Sequence, residues 1–165
     1  LQLRGEVSSN NGHANFSLSS DRVTLSAERL ELPLSLLAQL DASMSHYQLR
    51  GRAELQTERF VFAREGGEGQ LRVRLLELGS GLVAVPSIGQ YRIQISPVRD
   101  AYRFSAETEH GPLRVAGEGR WQPSKGGSIR LQLHPEAQAE ALLPLLSLAG
   151  RPAANGDYYL NTSFR

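Results

Sequence analysis

Residues able to do chemistry are few in this chain and widely separated. The four histidines, His13, His46, His110 and His134, lie far apart, and there is no cysteine. Disulfides, thiol chemistry and cysteine-held zinc are therefore excluded. A nucleophilic serine needs a base and an orienting group within hydrogen-bond reach. The nearest string to a nucleophile elbow is Gly79-Ser80-Gly81, which reads more simply as a turn between strands. Glu107, Glu109 and His110 come closest to a metal-ligand cluster, with the two glutamates on one strand face and His110 opening a turn. Other carboxylates, such as Glu6, Glu54 and Glu118, alternate with apolar neighbours as they would on a solvated strand face. No Gly-x-x-x-x-Gly-Lys loop is present to cradle phosphates. The expectation is a protein with no catalytic residue, no cofactor and no metal, and not an enzyme.

Charge narrows the partners. There are 18 basic and 17 acidic residues, a net charge of +1, and every basic residue except Lys125 is an arginine. A near-neutral chain has no electrostatic pull on nucleic acid or anionic lipid. Arg50, Arg52, Arg72, Arg74, Arg92 and Arg114 fall on polar strand positions with glutamates nearby, which predicts cross-strand ion pairs.

The elements that must position these residues are strands. Apolar residues recur every second position in Leu1–Val7, Ala14–Leu18, Val23–Ala27, Tyr47–Leu55, Leu71–Leu75, Tyr91–Ile95, Tyr102–Ala106, Leu113–Val115, Ile129–Leu133 and Tyr158–Leu160. That period puts apolar side chains on one face and polar ones on the other, as in antiparallel sheet with one wet side. Asn10-Asn11-Gly12 reads as a hairpin turn, and Gly66–Gly69, His110-Gly111-Pro112 and Ser124–Gly127 separate later runs.

Two Leu/Ala-rich segments, Leu32–Leu40 and Pro135–Gly150, predict short helices. Pro33 and Pro135 suit helix starts, Gly150 a stop, and Pro144 should kink or divide the second helix. The longest apolar stretch, Ala141–Gly150, has about half of the roughly 20 residues a membrane-crossing helix requires. A shift of 111 residues aligns the two segments without a gap, matching Leu32-Pro33-Leu34 with Leu143-Pro144-Leu145, Tyr47 with Tyr158 and Leu49 with Leu160. The expected fold is mainly β: a single domain over 1–165 with an antiparallel curved sheet or two-sheet arrangement. It carries two short Leu-rich helices and an internal pseudo-repeat of β-helix-β units around 23–55 and 129–164.

The C-terminal half resembles the N protein of the bacterial type II secretion system. The likeness is clearest in Leu142–Leu160, where a Leu-rich helix is followed by Gly150-Arg151-Pro152, then Gly156, then a strand led by Tyr158 and running through Leu160. The turn and Gly-rich strand His110–Trp121, and a strand through Pro86 and Gly89 in Leu82–Ile95, also fit. The resemblance implies a non-catalytic part in exporting folded proteins, and other secretion components as partners. It further implies a bacterial inner-membrane protein with this domain in the periplasm, anchored by a helix upstream of Leu1. It carries over no active-site residues. The other readings are a lipid or amphiphile carrier with an apolar sheet groove and, third, a hydrolase.

Overall fold

In the computed structural model, which describes residues 3–37 and 42–164, the alternating runs are strands. They are β1 (Leu3–Ser9), β2 (Gly12–Leu18), β3 (Arg22–Pro33), β4 (Leu49–Ala63), β5 (Leu71–Ser80), β6 (Gly89–Val98), β7 (Ala101–His110), β8 (Leu113–Gln122), β9 (Gly126–Pro135), β10 (Arg151–Pro152) and β11 (Tyr158–Phe164). Of the two arrangements expected, a single sheet is found. Its 11 strands are all antiparallel to their neighbours and run in sequence order, except that β11 lies between β9 and β10. The Asn10-Asn11 hairpin joins β1 to β2 as its sequence predicts. Gly12 has φ +132°, and a Cβ there would lie 1.8 Å from the Arg29 carbonyl oxygen, so only glycine fits.

Both helices start later than their sequence patterns. Leu32 and Pro33 end β3, pairing with Ala53 and Arg52, and the described part of helix α1 is Leu34–Leu37. A 3₁₀ turn, Ala42–Tyr47, leads into β4. The expected helical residues Ala38–Leu40 lie outside the described residues. Pro135 likewise ends β9 opposite Leu113, and helix α2 runs from Ala139 to Ala149. Pro144 lies inside α2 without dividing it. Gly150 caps the helix in extended backbone and donates its N–H to the Leu146 oxygen at 2.9 Å. The aligned segments therefore place matching residues on different elements: Leu32-Pro33 in a strand, Leu143-Pro144 in a helix. Common descent of the two units rests on the sequence match alone.

Strand register sorts the side chains by face, because directly paired residues point the same way. Leu55, Val73, Ile93, Ala106, Gly117, Leu131 and Leu160 are successive partners and form one apolar row across β4–β9 and β11. Arg and Glu occupy the opposite face. Where a strand would slip out of phase, a bulge restores it. Two residues, Glu28 and Arg29, oppose the single Gln56 between the pairs Ala27↔Thr57 and Leu30↔Leu55. On β4, Glu58 and Arg59 oppose Ser26. On β5, Leu76 and Glu77 oppose Gln90.

Each end of the apolar face has its own cover. At one end α2 inserts Leu142, Leu145 and Leu146, spaced for one helix face, against Leu113, Leu133, Tyr91 and Ala53. The connection after β5 adds Val83, Val85 and Ile88 to the same core. That stretch was expected to be part of a strand, but it folds as a loop, with Ile88 N–H donating to Leu78 at 2.7 Å. At the other end Phe62 stacks between Tyr102 and Trp121, with ring centroids 4.8 and 5.2 Å away. The Tyr102 hydroxyl accepts from Ala63 N–H at 2.8 Å and donates to Ala63 O at 2.9 Å. Between the two covers, the apolar row is half-buried at every position.

Two substitutions separate the covers. Leu146 is fully buried, so Leu146→Ala is expected to cost about 2–5 kcal/mol in urea unfolding. Tyr102→Phe leaves both buried Ala63 groups without their side-chain partner and is expected to cost about 1–3 kcal/mol in the same measurement.

Candidate functional site

The charged face holds a connected ladder of ion pairs. Register sets like charges opposite one another: Glu31 faces Glu54, and Arg74 faces Arg92. Such pairs repel, and the compensation comes from the neighbour on the other side, Arg74 lying directly opposite Glu54 and Arg92 opposite Glu107, and from contacts along and across the strands. Arg29 reaches Glu31 at 2.9 Å and Glu54 at 2.8 Å. Arg52 spans Glu31 and Glu77. Arg74 spans Glu54 at 3.4 Å and Glu109 at 2.9 Å. Arg92 spans Glu107 at 2.9 Å and Glu109 at 2.8 Å. Glu31 and Glu54 are buried carboxylates, each 8% exposed, and their arginines are what make that burial tolerable.

The ladder shifts its members' acidities. The Asn11 side-chain amide, donating to Glu31 at 2.9 Å, together with Arg29 and Arg52, holds the Glu31 carboxyl below its ordinary value. Arg74 first and Arg92 second do the same for Glu109, and Glu109 in turn raises Arg74. Glu107 and Glu109 do share a face as expected, but arginines take both. Ser80 is fully buried; its hydroxyl donates to Tyr47 O at 2.6 Å and accepts from Leu82 N–H at 3.2 Å. It holds the end of β5 to the 3₁₀ turn. Arg50 donates to Ser80 O at 3.2 Å, and Arg114 pairs with Glu136.

The segment carrying Gly150, Arg151, Pro152, Gly156, Tyr158 and Leu160 wraps one sheet border. Arg151 and Pro152 pair with Tyr159 and Tyr158. The chain then turns through Gly156, at φ +84°, and Ala153 N–H donates to Asp157 O at 2.8 Å. Asp157, 5% exposed, is the lock. Its carboxylate takes Gln132 Nε2 at 2.6 Å, Asn155 Nδ2 at 2.7 Å and His134 Nδ1 at 2.7 Å. The His134 contact, then Gln132, lowers the Asp157 pKa. Sequence reading missed this cluster, since 23 residues separate His134 from Asp157. Only the β9–β11 pairing brings them together.

Beside the lock, Leu148, Ala149, Gly150, Arg151, Tyr159 and Leu160 line a shallow groove of roughly 480 Å³. Leu148 is 52% exposed and Leu143, one α2 turn earlier, 44%. Three of the signature residues thus contribute to this surface. Among the described residues no group of three His, Asp or Glu is placed to hold a metal, and no helix is long and apolar enough to cross a membrane.

One apolar face, one charged face with its buried glutamates ion-paired, and a leucine helix over one end together define a one-sheet β protein. The family model of type II secretion system protein N matches residues 1–161. The chain belongs to that family and so to the components of the type II secretion machinery, as the sequence resemblance implied. Comparison with curated proteins and with solved structures found no match.

The depressed carboxylates fix a pH dependence. A carboxylate with its folded pKa below the unfolded value, near 4, stabilises the fold fully above that value. The contribution is lost as pH falls through the folded pKa. With Glu31, Glu109 and Asp157 all lowered, the melting temperature is expected to be flat above about pH 5 and to fall progressively below about pH 4. Glu109→Gln should make that acid-side decline shallower in a thermal melt series.

Proposed function

We propose that the chain is a non-catalytic assembly or scaffolding element of the type II secretion machinery, acting by protein–protein contact. The groove beside the signature segment is the observation that carries this reading. There the solvent-facing leucine Leu148 and the exposed Arg151 sit against Tyr159 and Leu160 at a sheet border. A mixed surface, with Leu148, Ala149 and Leu160 beside the polar Ser147, Arg151 and Asn161, suits a protein partner, and a secretion component is the partner that family membership favours. The ionisable groups support a non-catalytic role, because the buried carboxylates Glu31, Glu54 and Asp157 are engaged in the ladder and in the Asp157 lock. In this reading the domain works in the periplasm, held at the bacterial inner membrane by a helix upstream of Leu1.

A second reading is favoured by one specific feature. The half-buried apolar row from Leu55 to Leu160 offers aliphatic surface suited to acyl chains, which would make the chain an amphiphile-binding protein of the envelope.

Capture experiments with the other secretion components as candidates test the first reading. The unaltered chain should retain one of them. Leu148→Asp with Arg151→Glu should abolish capture while leaving the melting temperature within about 2 °C, as surface changes do. Retention of no component, or of the same component by the double variant, would count against the groove. Mass spectrometry of solvent extracts tests the second reading. Stoichiometric lipid would support it, and its absence would remove it.

A further inference from the structure

The strand β1 forms one border of the sheet. Among the described residues only β2 pairs with it. Exposed edges are normally blunted by proline, bulges, charged side chains or short length. β1 is seven residues without proline, in unbroken register from Leu3↔Leu18 to Ser9↔Gly12, and its charges are one of each sign, Arg4 and Glu6. At the opposite border β10 is two residues long and contains Pro152, and β11 beyond Tyr159 pairs with β9 alone among the described residues.

The direction of the free backbone groups follows from the turn. A two-residue connection makes Ser9 and Gly12 the hydrogen-bonded closing pair. Alternation then aims the N–H and C=O of Val7, Gly5 and Leu3 at β2, and those of Ser8, Glu6 and Arg4 outward. Arg4 and Glu6 lie on the charged face. Leu3 and Val7 lie on the apolar face and are 56% and 40% exposed.

We infer that β1 is a self-association edge that takes a second copy of this chain, antiparallel, about a two-fold axis through Gly5. The strand is self-complementary only about that point. Arg4 falls opposite Glu6 of the second copy, and Glu6 opposite its Arg4. Each such pair also exchanges the outward backbone hydrogen bonds. Leu3 meets Val7 of the second copy on the apolar face. Gly5 puts no side chain at the axis, and the Phe16 ring of β2 lies over Gly5 itself, where a Cβ would approach the ring to 2.4 Å. The pairing is isologous and therefore closes at two copies, whereas head-to-tail addition of β1 to β11 would continue into a ring or a filament. The apolar rows of the two copies then share one continuous sheet. This proposal does not rest on the groove at the other border.

The absence of cysteine makes the test clean. Leu3 and Val7 of the second copy form a non-hydrogen-bonded pair with Cα atoms about 4.5 Å apart, within disulfide reach. The double variant L3C/V7C of the full chain should give a disulfide-linked dimer on a non-reducing gel, and L3C or V7C alone should not. In sedimentation equilibrium the unaltered chain should dimerise. R4E should weaken the dimer roughly tenfold or more, by setting like charges opposite each other twice. R4E/E6R should restore it. Glu6→Pro removes an outward N–H without touching the β2 ladder and should give a monomer with the β-sheet circular dichroism unchanged. A monomeric unaltered chain, including one that captures another protein's strand, overturns the proposal. So does equal cross-linking by the single cysteine variants, or failure of R4E/E6R to recover the dimer.

Discussion

Side-chain parity is the constraint on which the rest depends. A strand turns successive side chains to opposite faces, so a one-residue slip would move every apolar group into water. This sheet accumulates 11 strands, and parity has to survive each pairing. The bulges in β3, β4 and β5 do that work. Ala27 and Leu30 are three residues apart, yet both reach the apolar face because Glu28 and Arg29 share one place opposite Gln56. Thr57 and Phe60 behave in the same way. The extra residue also adds twist.

Parity dictates the composition of the other face. Once Glu31 lies opposite Glu54 and Arg74 opposite Arg92, each cation must bridge two carboxylates. A guanidinium can do this, because its fixed fork presents several donors in different directions. Arg74 uses Nε, Nη1 and Nη2 on Glu54 and Glu109 together. A lysine ammonium is a compact point charge and would serve one carboxylate well and the other poorly. The ladder thus explains the choice of arginine at positions 29, 52, 74 and 92.

Much of the fold is legible in the sequence, because period-two alternation and the Asn10-Asn11-Gly12 turn are local signals. The helix boundaries are not local. Pro33 and Pro135 read as helix starters, but both are drawn into strand ends, opposite Arg52 and Leu113, where a missing N–H at the margin of a ladder is tolerated. Val83, Val85 and Ile88 read as a strand and instead fill the core from a loop, since the bulged end of β5 turns the chain there. The bulges were visible as spacings of three within runs of two, a signal that alternation alone passes over. The Asp157 lock was not visible at all: Gln132 and His134 become its neighbours only when β11 pairs with β9. The signature residues were legible as a set, but their common surface depends on where α2 ends relative to β11.

The cysteine-free chain lets the one-sidedness of the sheet be read directly. Single cysteines at Arg72, Val73, Arg130 and Leu131 sample both faces of two distant strands, and thiol modification in the native state reports their access to water. Rapid modification at 72 and 130 with slow modification at 73 and 131 is the expected pattern. Equal rates at adjacent positions, or opposite parity on the two strands, would contradict a sheet with one apolar face throughout.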